Sequence, residues 1–343
     1  MSTISNPPTR LGEILAGIAA FQDKKVLVVG DFFLDEYVEG EMFDISKEGP
    51  IPVIRLESKI QTAGAAGNLA SSIRQLGAQV KVVGVIGEDL NGQTLVEKLE
   101  KNGVDCRLLI RDDKPTLSYT KIRARVESSP STEVLRLDVL PSGPLPAALE
   151  DRLIKSCEQA GSDTAGIIVL DQIRHVITRR FLDALPKIAN SRNIFLHGSS
   201  REHIGDFHDF DLIIPNDVEA RNALGHGSTE RLTLEDLGEE LKKKGRHRQA
   251  LVTLGPEGMA LFPRDEPMQK IPTFARDVVD VTGAGDAVAS TAILGNLLGW
   301  HLTTVAWMAS QSAAIAVAKV GTHHVTREEL EDAVRRGYTE GLS

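Results

Sequence analysis

Short apolar runs rich in β-branched residues alternate with longer helical stretches along most of this chain. The first run, 24–30, is charged at its start and ends in glycine, which is typical of a strand buried on both faces. Similar runs follow at 80–85, 166–170, 194–196, 212–214 and 250–253. Helical spacing covers residues 10–22, 67–76, 92–101, 146–160, 178–189 and 234–244, and the chain is Ala-rich and helical after residue 284. The alternation predicts an α/β fold with right-handed crossovers and a doubly wound, mostly parallel sheet flanked by helices.

Two stretches break this alternation. Residues 36–62 and 115–139 alternate polar and apolar side chains without an intervening helix, which predicts antiparallel strands that leave the main sheet and return. We expect the two insertions to form a small β-sheet that sits above the main sheet as a lid. Because the sequence contains no repeat and no long linker, residues 1–343 are predicted to form a single domain.

Composition and charge exclude several classes of protein. A net charge of −9 over 343 residues disfavours bulk attraction to nucleic acid, and the basic run 242–248 is better explained as the end of a helix. Two cysteines, Cys106 and Cys157, are too few for a disulfide framework. No apolar run approaches the roughly 20 residues that cross a bilayer, and residues 1–9 lack the apolar core of a secretion signal. We therefore expect a cytoplasmic protein with no membrane partner.

The segment 280–286, Asp-Val-Thr-Gly-Ala-Gly-Asp, carries the most chemical information. Gly283, Ala284 and Gly285 allow a tight turn that presents bare N–H groups at the start of an apolar helix, which favours an anion. An aspartate beside such a site suits a base that removes a proton from a hydroxyl attacking a phosphoryl group. Asp286 is therefore the candidate base, although a glycine turn with an aspartate helix cap would show the same local pattern.

Five motifs, in order along the chain, resemble those of the ribokinase-like (pfkB-type) carbohydrate kinases. The segment 280–286 is similar to their closing signature D-T-x-G-A-G-D. The other four are similar to G-G-x-x-x-N-x-A, V-G-x-x-G-x-D-x-x-G, N-x-x-E and T-x-G-x-x-G, and lie at residues 64–70, 83–92, 216–219 and 253–258. The resemblance implies a ribokinase-like fold and transfer of the γ-phosphoryl group of ATP to a sugar hydroxyl, with Mg²⁺ and a monovalent cation as candidate cofactors.

Further segments resemble the heptose phosphate kinases of lipopolysaccharide precursor synthesis. They lie at residues 30–37, 47–53, 120–123, 135–138 and 319–322. The chain ends at Ser343 without the nucleotidyltransferase domain that follows in many of those kinases, so we expect a kinase-only form. It departs from their pattern at 170–175 and 197–200, at Ala65 in place of a second glycine, and at Ser310 in place of an asparagine. These departures affect the walls for sugar and nucleotide.

The resemblance implies a role for each matching residue. Asp35, which we place at the end of the first strand, would bind sugar hydroxyls, as would Gly64, Gly67 and Asn68 on the loop that opens the next helix. Lys121, Arg123 and Arg136 on lid strands would bind a phosphate carried by the acceptor. Asn216, Thr253, Gly255, Gly258 and Ser310 would bind the nucleotide, and Glu219 would act near the metal. For each, a structural alternative remains: a turn, a helix cap, or an exposed strand charge. The pair His323-His324 is expected in a surface loop.

The sequence thus predicts a kinase acting on a sugar phosphate, with a heptose phosphate favoured. Two alternatives stay open: a ribokinase-like kinase for an unphosphorylated sugar or nucleoside, and a non-catalytic sugar sensor that has kept the fold. Lid strands of this kind expose an apolar face, here Ile51, Val53, Ile54 and Leu56, that one monomer can hardly cover. We therefore expect a homodimer joined through the lid.

Overall fold

The chain folds into two sheets of different size with helices around the larger one. A computed structural model describes residue 7 and residues 9–126, 129–225 and 232–340. The strands are β1 (Lys25–Gly30), β2 (Phe32–Ile45), β3 (Pro52–Ala65), β4 (Gln79–Gly87), β5 (Leu109–Asp112), β6 (Ser118–Arg125), β7 (Thr132–Val139), β8 (Gly166–Asp171), β9 (Phe195–Ser200), β10 (Leu212–Ile213), β11 (Gln249–Thr253), β12 (Met259–Phe262) and β13 (Gln269–Ile271). The helices are α1 (Leu11–Ala19), α2 (Ala66–Gln75), α3 (Leu90–Lys101), α4 (Ala147–Ala160), α5 (Arg179–Arg192), α6 (Asp217–Ala223), α7 (Leu234–Gly245), α8 (Ala284–Leu297), α9 (Leu302–Val317) and α10 (Arg327–Glu340).

The larger sheet is mostly parallel, as the alternation predicts. Within the described ranges it has nine strands in the order β13-β12-β11-β10-β9-β8-β1-β4-β5. The seven strands from β11 to β5 pair in parallel, and β12 and β13 add an antiparallel edge. The chain order reverses beside β1, where β4 lies on one side and β8 on the other. In open α/β sheets, ligands bind outside the carboxyl ends of the strands at such a point.

Each face of this sheet has its own hydrophobic core. Val26 and Val28 of β1 pack with α1, α2, α3, α8, α9 and α10, whereas Leu27 and Val29 pack with α4, α5, α6 and α7. All four side chains are at most 1% exposed. Successive strand residues point to opposite faces, so a continuous apolar run is what a sheet covered on both sides requires. Because both faces of the sheet are buried, its strands occur in the sequence as continuous apolar runs, which is why they could be predicted.

The smaller sheet differs from the prediction in the direction of one strand pair. Its order is β3-β2-β6-β7, and β2 pairs with β6 in parallel, from Leu34 opposite Ser118 to Glu41 opposite Arg125. The prediction of wholly antiparallel strands is therefore wrong for this pair. The physical reason is that β2 follows β1 and β6 follows β5, and both preceding strands end at the same edge of the parallel sheet. The two outgoing strands consequently run in the same direction, and β3 and β7 return antiparallel to them.

No helix in the described part of the chain is both long enough and apolar enough to span a membrane.

Candidate active site

The turn before α8 has the geometry that its small residues predict. Gly283 is the N-cap of α8 with φ 83°, a left-handed conformation that favours glycine, and no side chain caps the helix. The N–H of Ala284 donates to the Val281 carbonyl at 3.2 Å, so this amide is used within the turn. The amides of Gly283 and Gly285, together with the helix dipole, are then the donors best placed to meet an anion.

Asp286 lies in the first turn of α8 and is held by Asn68, a residue of α2. The side-chain amide of Asn68 donates a hydrogen bond to one carboxylate oxygen of Asp286. Burial raises the pKa of Asp286 to about 6; the hydrogen bond from Asn68 opposes this shift, and the negative charge of Asp35 adds to it. A carboxylate with a pKa near 6 is a stronger base than an ordinary aspartate and is still ionised at neutral pH.

Asn68 in turn contacts His324, which corrects the expectation that the histidine pair lies in a surface loop. The Asn68 side chain is buried, and its Oδ1 lies 2.6 Å from His324 Nε2. Burial, and to a smaller extent the neighbouring His323, lower the pKa of His324 to about 4, so the imidazole is neutral at neutral pH. The loop after α9 therefore reaches the active-site edge of the sheet instead of lying on the surface.

Asp35 does not end the first strand, as the sequence analysis expected. It lies within β2 and thus in the smaller sheet, because β1 ends at Gly30 and the chain turns there. Asp31 occupies that turn, where its carboxylate accepts hydrogen bonds from the N–H groups of Gln172, Ile173 and Val176. Asp31 is thus a structural residue that fixes the loop after β8.

The carboxyl group of Asp35 is buried without a full set of partners. Its Oδ1 has no hydrogen-bond partner in the described structure. Burial raises the pKa of Asp35, while the positive charges of Lys121 and Arg136 lower it. A Cβ atom at Gly64, on the neighbouring strand, would lie 2.6 Å from this carboxyl, so only glycine leaves it room. An unsatisfied buried oxygen of this kind is suited to accept a hydrogen bond from a ligand hydroxyl.

The junction between β3 and α2 is strained at one residue. Gly64 and Ala65 end β3, and Gly67 and Asn68 lie in the first turn of α2, so the latter two are helical residues and not loop residues. Ala65 is the N-cap of α2 with φ 47° and ψ −122°, a conformation that a side chain disfavours. The strain accounts for the glycine that the resembling kinases carry at this position.

The three cations predicted to bind an acceptor phosphate do not share one environment. The Lys121 Nζ lies 5.1 Å from the centre of the Tyr37 ring. The Arg136 guanidinium lies 4.1 Å from the centre of the Tyr119 ring, and two of its nitrogens bond the carboxylate of Asp138 at 2.7 and 3.0 Å.

The charge of Arg123 acts on a different carboxyl group from the charges of the other two cations. Its Nη1 bonds Glu39 Oε1 at 3.0 Å, and its charge lowers the pKa of Asp280, after the hydrogen bonds from Thr282 and Gly321. The charges of Lys121 and Arg136 therefore act on Asp35, and that of Arg123 acts on Asp280 in the loop before α8.

The residues predicted to bind nucleotide line a cavity beside α8. Thr253, Gly255, Gly258 and Ser310 surround a space of about 280 Å³, which also reaches Gly285. Ser310 Oγ donates to the Pro272 carbonyl at 2.9 Å, which ties α9 to the segment after β13. The lining is largely apolar and includes Ala284 and Gly285 in the first turn of α8, which suits a nucleobase with a phosphate chain.

Asn216 and Glu219 form the helix cap that was the structural alternative for them. The Asn216 side chain accepts from the Glu219 N–H, and Glu219 Oε2 accepts from the Asn216 N–H, both at 2.8 Å. Asn216 also lines a cavity of about 420 Å³ with Thr253, Gly255 and Lys270. Burial raises the pKa of Glu219, which the Asn216 N–H and then the charge of Arg201 oppose. One oxygen of Glu219 remains for water or a ligand.

Two residues of the site escaped the sequence analysis. His324 contacts Asn68 as described above, and Arg201 directly follows β9. The charge of Arg201 acts on both Glu219 and Tyr119, so it lies between the smaller sheet and the start of α6. Its position after a parallel strand was a usable signal, because ligands bind at that edge. No local pattern marked His324.

Comparison with known proteins agrees with the family resemblance of the sequence motifs. The profile of the pfkB family carbohydrate kinases matches residues 23–329. Among curated proteins, the bifunctional protein HldE of Geobacter metallireducens is 33% identical over 90% of this chain and 62% of its own length. The bifunctional protein HldE of Citrifermentans bemidjiense is 32% identical over 91% of this chain and 64% of its own length. The chain thus spans less than two thirds of these relatives.

Solved structures share the fold at low identity. Phosphofructokinase-2 from Escherichia coli, in complex with potassium, superposes with a TM-score of 0.73 at 17% identity, covering 92% of this chain and 99% of the other. Arabidopsis thaliana ribokinase, complexed with ribose and ATP, gives a TM-score of 0.71 at 19% identity, covering 91% and 99%. The ribokinase-like fold expected from the sequence is confirmed.

Proposed function

The chain belongs to the pfkB family of carbohydrate kinases, and on that premise we propose that it phosphorylates a hydroxyl of a sugar phosphate, with a heptose phosphate as the favoured acceptor. The family makes it a phosphotransferase with an alcohol group as acceptor, and implies that it uses ATP. The phosphorylated acceptor and the individual residue roles below belong to the proposal.

The observation that carries the proposal is the electrostatic coupling of two carboxyl groups, that of Asp35 on β2 and that of Asp286 in the first turn of α8. Asp35 has an oxygen without a partner, and Asp286 has a pKa raised by burial to about 6, with Asp35 contributing to the shift. In the proposed reaction, Asp35 accepts a hydrogen bond from an acceptor hydroxyl and so orients the sugar. Asp286 removes the proton from the attacking hydroxyl, and the amides of Gly283 and Gly285 stabilise the charge on the transferred phosphoryl group.

ATP would occupy the cavity beside α8 with its phosphates directed toward that helix. Thr253, Gly255 and Gly258 would line the phosphates and ribose, and Ser310 the base. The described residues contain no cluster of three or more His, Cys, Asp or Glu side chains able to hold a metal. A Mg²⁺ ion held mainly by the triphosphate and water, with Glu219 acting through water, fits this donor set and would neutralise phosphate charge. A monovalent cation is also included, since the related phosphofructokinase-2 was solved with potassium.

The charges around Asp35 support an acceptor that already carries a phosphate. Lys121 has no carboxylate partner among the described residues, and together with Arg136 it acts on Asp35. A protein with net charge −9 needs local cations to attract a dianion. Lys121 is therefore the best candidate for the phosphate contact, with Arg136 and Arg123 beside it.

One observation favours the alternative of an unphosphorylated sugar. Arg123 and Arg136 already pair with Glu39 and Asp138, so their charges are partly neutralised within the sheet. Of the three cations predicted to bind phosphate, only Lys121 then has no carboxylate partner among the described residues. The sensor alternative gains less, because a sensor has no need for an aspartate whose pKa burial raises to about 6 at a helix start.

The test is ADP production by the purified protein with heptose phosphates, other sugar phosphates, the matching unphosphorylated sugars and nucleosides. Asp286→Asn, prepared in the same way, controls for a contaminating kinase. Turnover with a heptose phosphate at a kcat/KM at least tenfold above the unphosphorylated heptose supports the proposal. Preference for a plain sugar or a nucleoside favours the first alternative, and binding of a sugar without ADP production favours the sensor.

A further inference from the structure

Three side chains from three distant segments form a hydrogen-bonded chain that ends at the proposed base. His324, in the loop before α10, contacts Asn68 on α2, and Asn68 contacts Asp286 on α8. We propose that His324 is a positioning residue that holds the Asn68 amide in the orientation in which it donates to Asp286. The inference rests on the proposed function, since it requires Asp286 to act as the base.

The direction of each hydrogen bond follows from the chemistry of the groups. A carboxylate only accepts, so Asn68 must present its NH₂ group to Asp286 and its Oδ1 to His324. A neutral imidazole carries one N–H, and the 2.6 Å contact at Nε2 requires it there. With the amide rotated by about 180°, Oδ1 would face the carboxylate and the NH₂ group would face an N–H. The contact with the carboxylate would then be repulsive, and the contact with His324 would be repulsive as long as the proton stays on Nε2, so the Nε2–H form of His324 favours one orientation.

Asn68 depends on these two contacts because nothing else satisfies it. Asn68 is 6% exposed, and in the described structure its side chain forms hydrogen bonds only with Asp286 and His324. Unpaired buried polar groups are costly, so losing His324 would leave Oδ1 unsatisfied and the amide free to turn. The hydrogen bond from Asn68 also lowers the pKa of Asp286 against the effect of burial. His324 thus acts on the base through a second residue.

Charged and titratable residues surround the three hydrogen-bonded side chains His324, Asn68 and Asp286. Asp35 on β2 faces Asp286 and raises its pKa, and Lys121 and Arg136 face Asp35. His323, which bonds Glu329, is the titratable neighbour of His324. None of these contacts changes when His324 is replaced by an uncharged residue, because His324 is already neutral at neutral pH. A shift in the pH profile of such a variant therefore reports the orientation of Asn68.

His324→Leu removes the donor and keeps an apolar side chain of moderate size. We expect kcat to fall about tenfold or more through misorientation of the base, and the KM for ATP to stay within about twofold. The acid limb of the kcat/KM profile should move up by roughly 0.5 to 1 pH unit, since Asp286 loses a hydrogen bond to its charged form. His324→Gln, whose amide can donate to Asn68, should restore kcat to within about threefold of wild type.

His323→Leu is the matched control in the same loop. It removes a hydrogen bond of 2.8 Å to Glu329 and has no contact with Asn68, so its kcat should stay near that of wild type. In an Asn68→Ala background, His324→Leu should cause no further loss, because the residue through which it acts is gone. If His324→Leu does not fold, His324→Asn replaces it, since that amide is too short to reach Asn68.

The outcomes separate this inference from the proposed function. If wild type turns over and His324→Leu matches it in kcat and pH profile, the inference is overturned while the function stands. Equal losses in His323→Leu, or additive losses with Asn68→Ala, also overturn it. If wild type phosphorylates no acceptor, the proposed function fails. The ¹⁵N NMR shifts of His324 then decide, since a proton on Nε2 supports the hydrogen-bonded chain and a proton on Nδ1 contradicts it.

Discussion

Asn68 and Asp286 stand 218 residues apart in sequence, and the side-chain amide of the first bonds the carboxylate of the second. The contact joins α2 to α8 at the carboxyl edge of the larger sheet. Asn68 was expected to bind the sugar and Asp286 to act as the base, so one hydrogen bond links the acceptor side of the site to the catalytic side. On the proposed roles, the position of the acceptor and the basicity of Asp286 would therefore be coupled.

Asp286→Asn should nearly abolish phosphoryl transfer and leave ATP binding within a few fold of wild type. A positioned general base is worth about 10²–10⁴-fold in rate, whereas an uncharged residue of the same shape leaves the amides of Gly283 and Gly285 in place. Single-turnover rates and calorimetric titration with ATP measure the two effects. A variant that retains more than half of the wild-type rate would show that Asp286 is not the base.

The activity should fall as the pH drops through about 6, because Asp286 must be ionised and burial raises its pKa to about 6. Below that value kcat/KM should fall about tenfold for each pH unit. A profile of kcat/KM between about pH 5 and pH 8 measures this limb. A limb at pH 4, the ordinary range of an aspartate, would contradict the assignment.

The raised pKa of Asp286 has the opposite effect on stability: the stability should increase as the pH falls, whereas the activity should decrease. The folded state binds a proton more tightly than the unfolded state, so ionised Asp286 destabilises the fold above pH 6, and the penalty disappears as the pH falls toward 4. Asp286→Asn should therefore melt at a higher temperature than wild type at pH 7 and at a similar temperature near pH 4. Asp31, whose pKa burial also raises to about 6, is present in both proteins and cancels in the comparison.

Replacement of Lys121 and Arg136 by Met should raise the KM for a phosphorylated acceptor by at least about tenfold. Each charge-assisted contact contributes about 1.5–3 kcal/mol, and both cations face Asp35. The KM for ATP and the kcat/KM for an unphosphorylated acceptor should change little. Arg125→Met is the control, because Arg125 lies on β6 with Lys121 but pairs with Glu57. Equal effects on both acceptor classes would mean that these cations only support the sheet.

Ala65→Gly should stabilise the protein by about 1 kcal/mol. The positive φ of Ala65 costs about 1–3 kcal/mol for a residue with a Cβ, and the extra freedom of glycine in the unfolded chain offsets part of the gain. Urea denaturation measures the change. Ala148→Gly, in the exposed part of α4, should lose stability, as glycine normally does in a helix. If both variants are destabilised, Ala65 is not strained.

The protein should form a homodimer of about twice 37.2 kDa through its smaller sheet. Of the four residues expected on one apolar face, Ile51 is 54% and Leu56 is 61% exposed, whereas Val53 and Ile54 are half-buried and, as neighbours on β3, point to opposite faces, so the expectation of a single face is wrong. Leu137 on β7 is 53% exposed as well, so Leu137→Glu should favour the monomer. Light scattering at micromolar concentration, with and without substrate, measures the mass. A wild-type mass near 37 kDa under both conditions would rule out the dimer.

The larger sheet was predictable because burial on both faces leaves a local signature. The run 24–30 became β1 (Lys25–Gly30), and the helix expected over 10–22 became α1 followed by a 3₁₀ turn, Ala20–Asp23. The direction of β6 relative to β2 was not predictable in the same way. Alternating polarity identifies a strand facing solvent on one side, but it carries no information about the strand beside it.

The residues of the site also differ in whether a local sequence pattern identifies them. Asp286 was singled out because it follows a turn of small residues that favours an anion, and Asn68 because residues 64–70 resemble a family motif. Asp35 was identified, but its strand was not, because the chain turns at Asp31 and begins β2 within two residues of the end of β1. His324 acts through a contact with a residue 256 positions away, and such a contact has no local pattern.

The parallel pairing of β2 with β6 also sets an order of events during synthesis. Paired residues such as Glu36 and Thr120 are 84 positions apart, so the second strand emerges from the ribosome roughly 4 to 17 seconds after the first. During that interval β2 has only its hairpin partner β3, and the edge that later pairs with β6 is open. A long unpaired edge is a template for association with other chains. The smaller sheet of this nascent protein is thus open to association with other chains until β6 has been made, and its completion depends on the speed of translation.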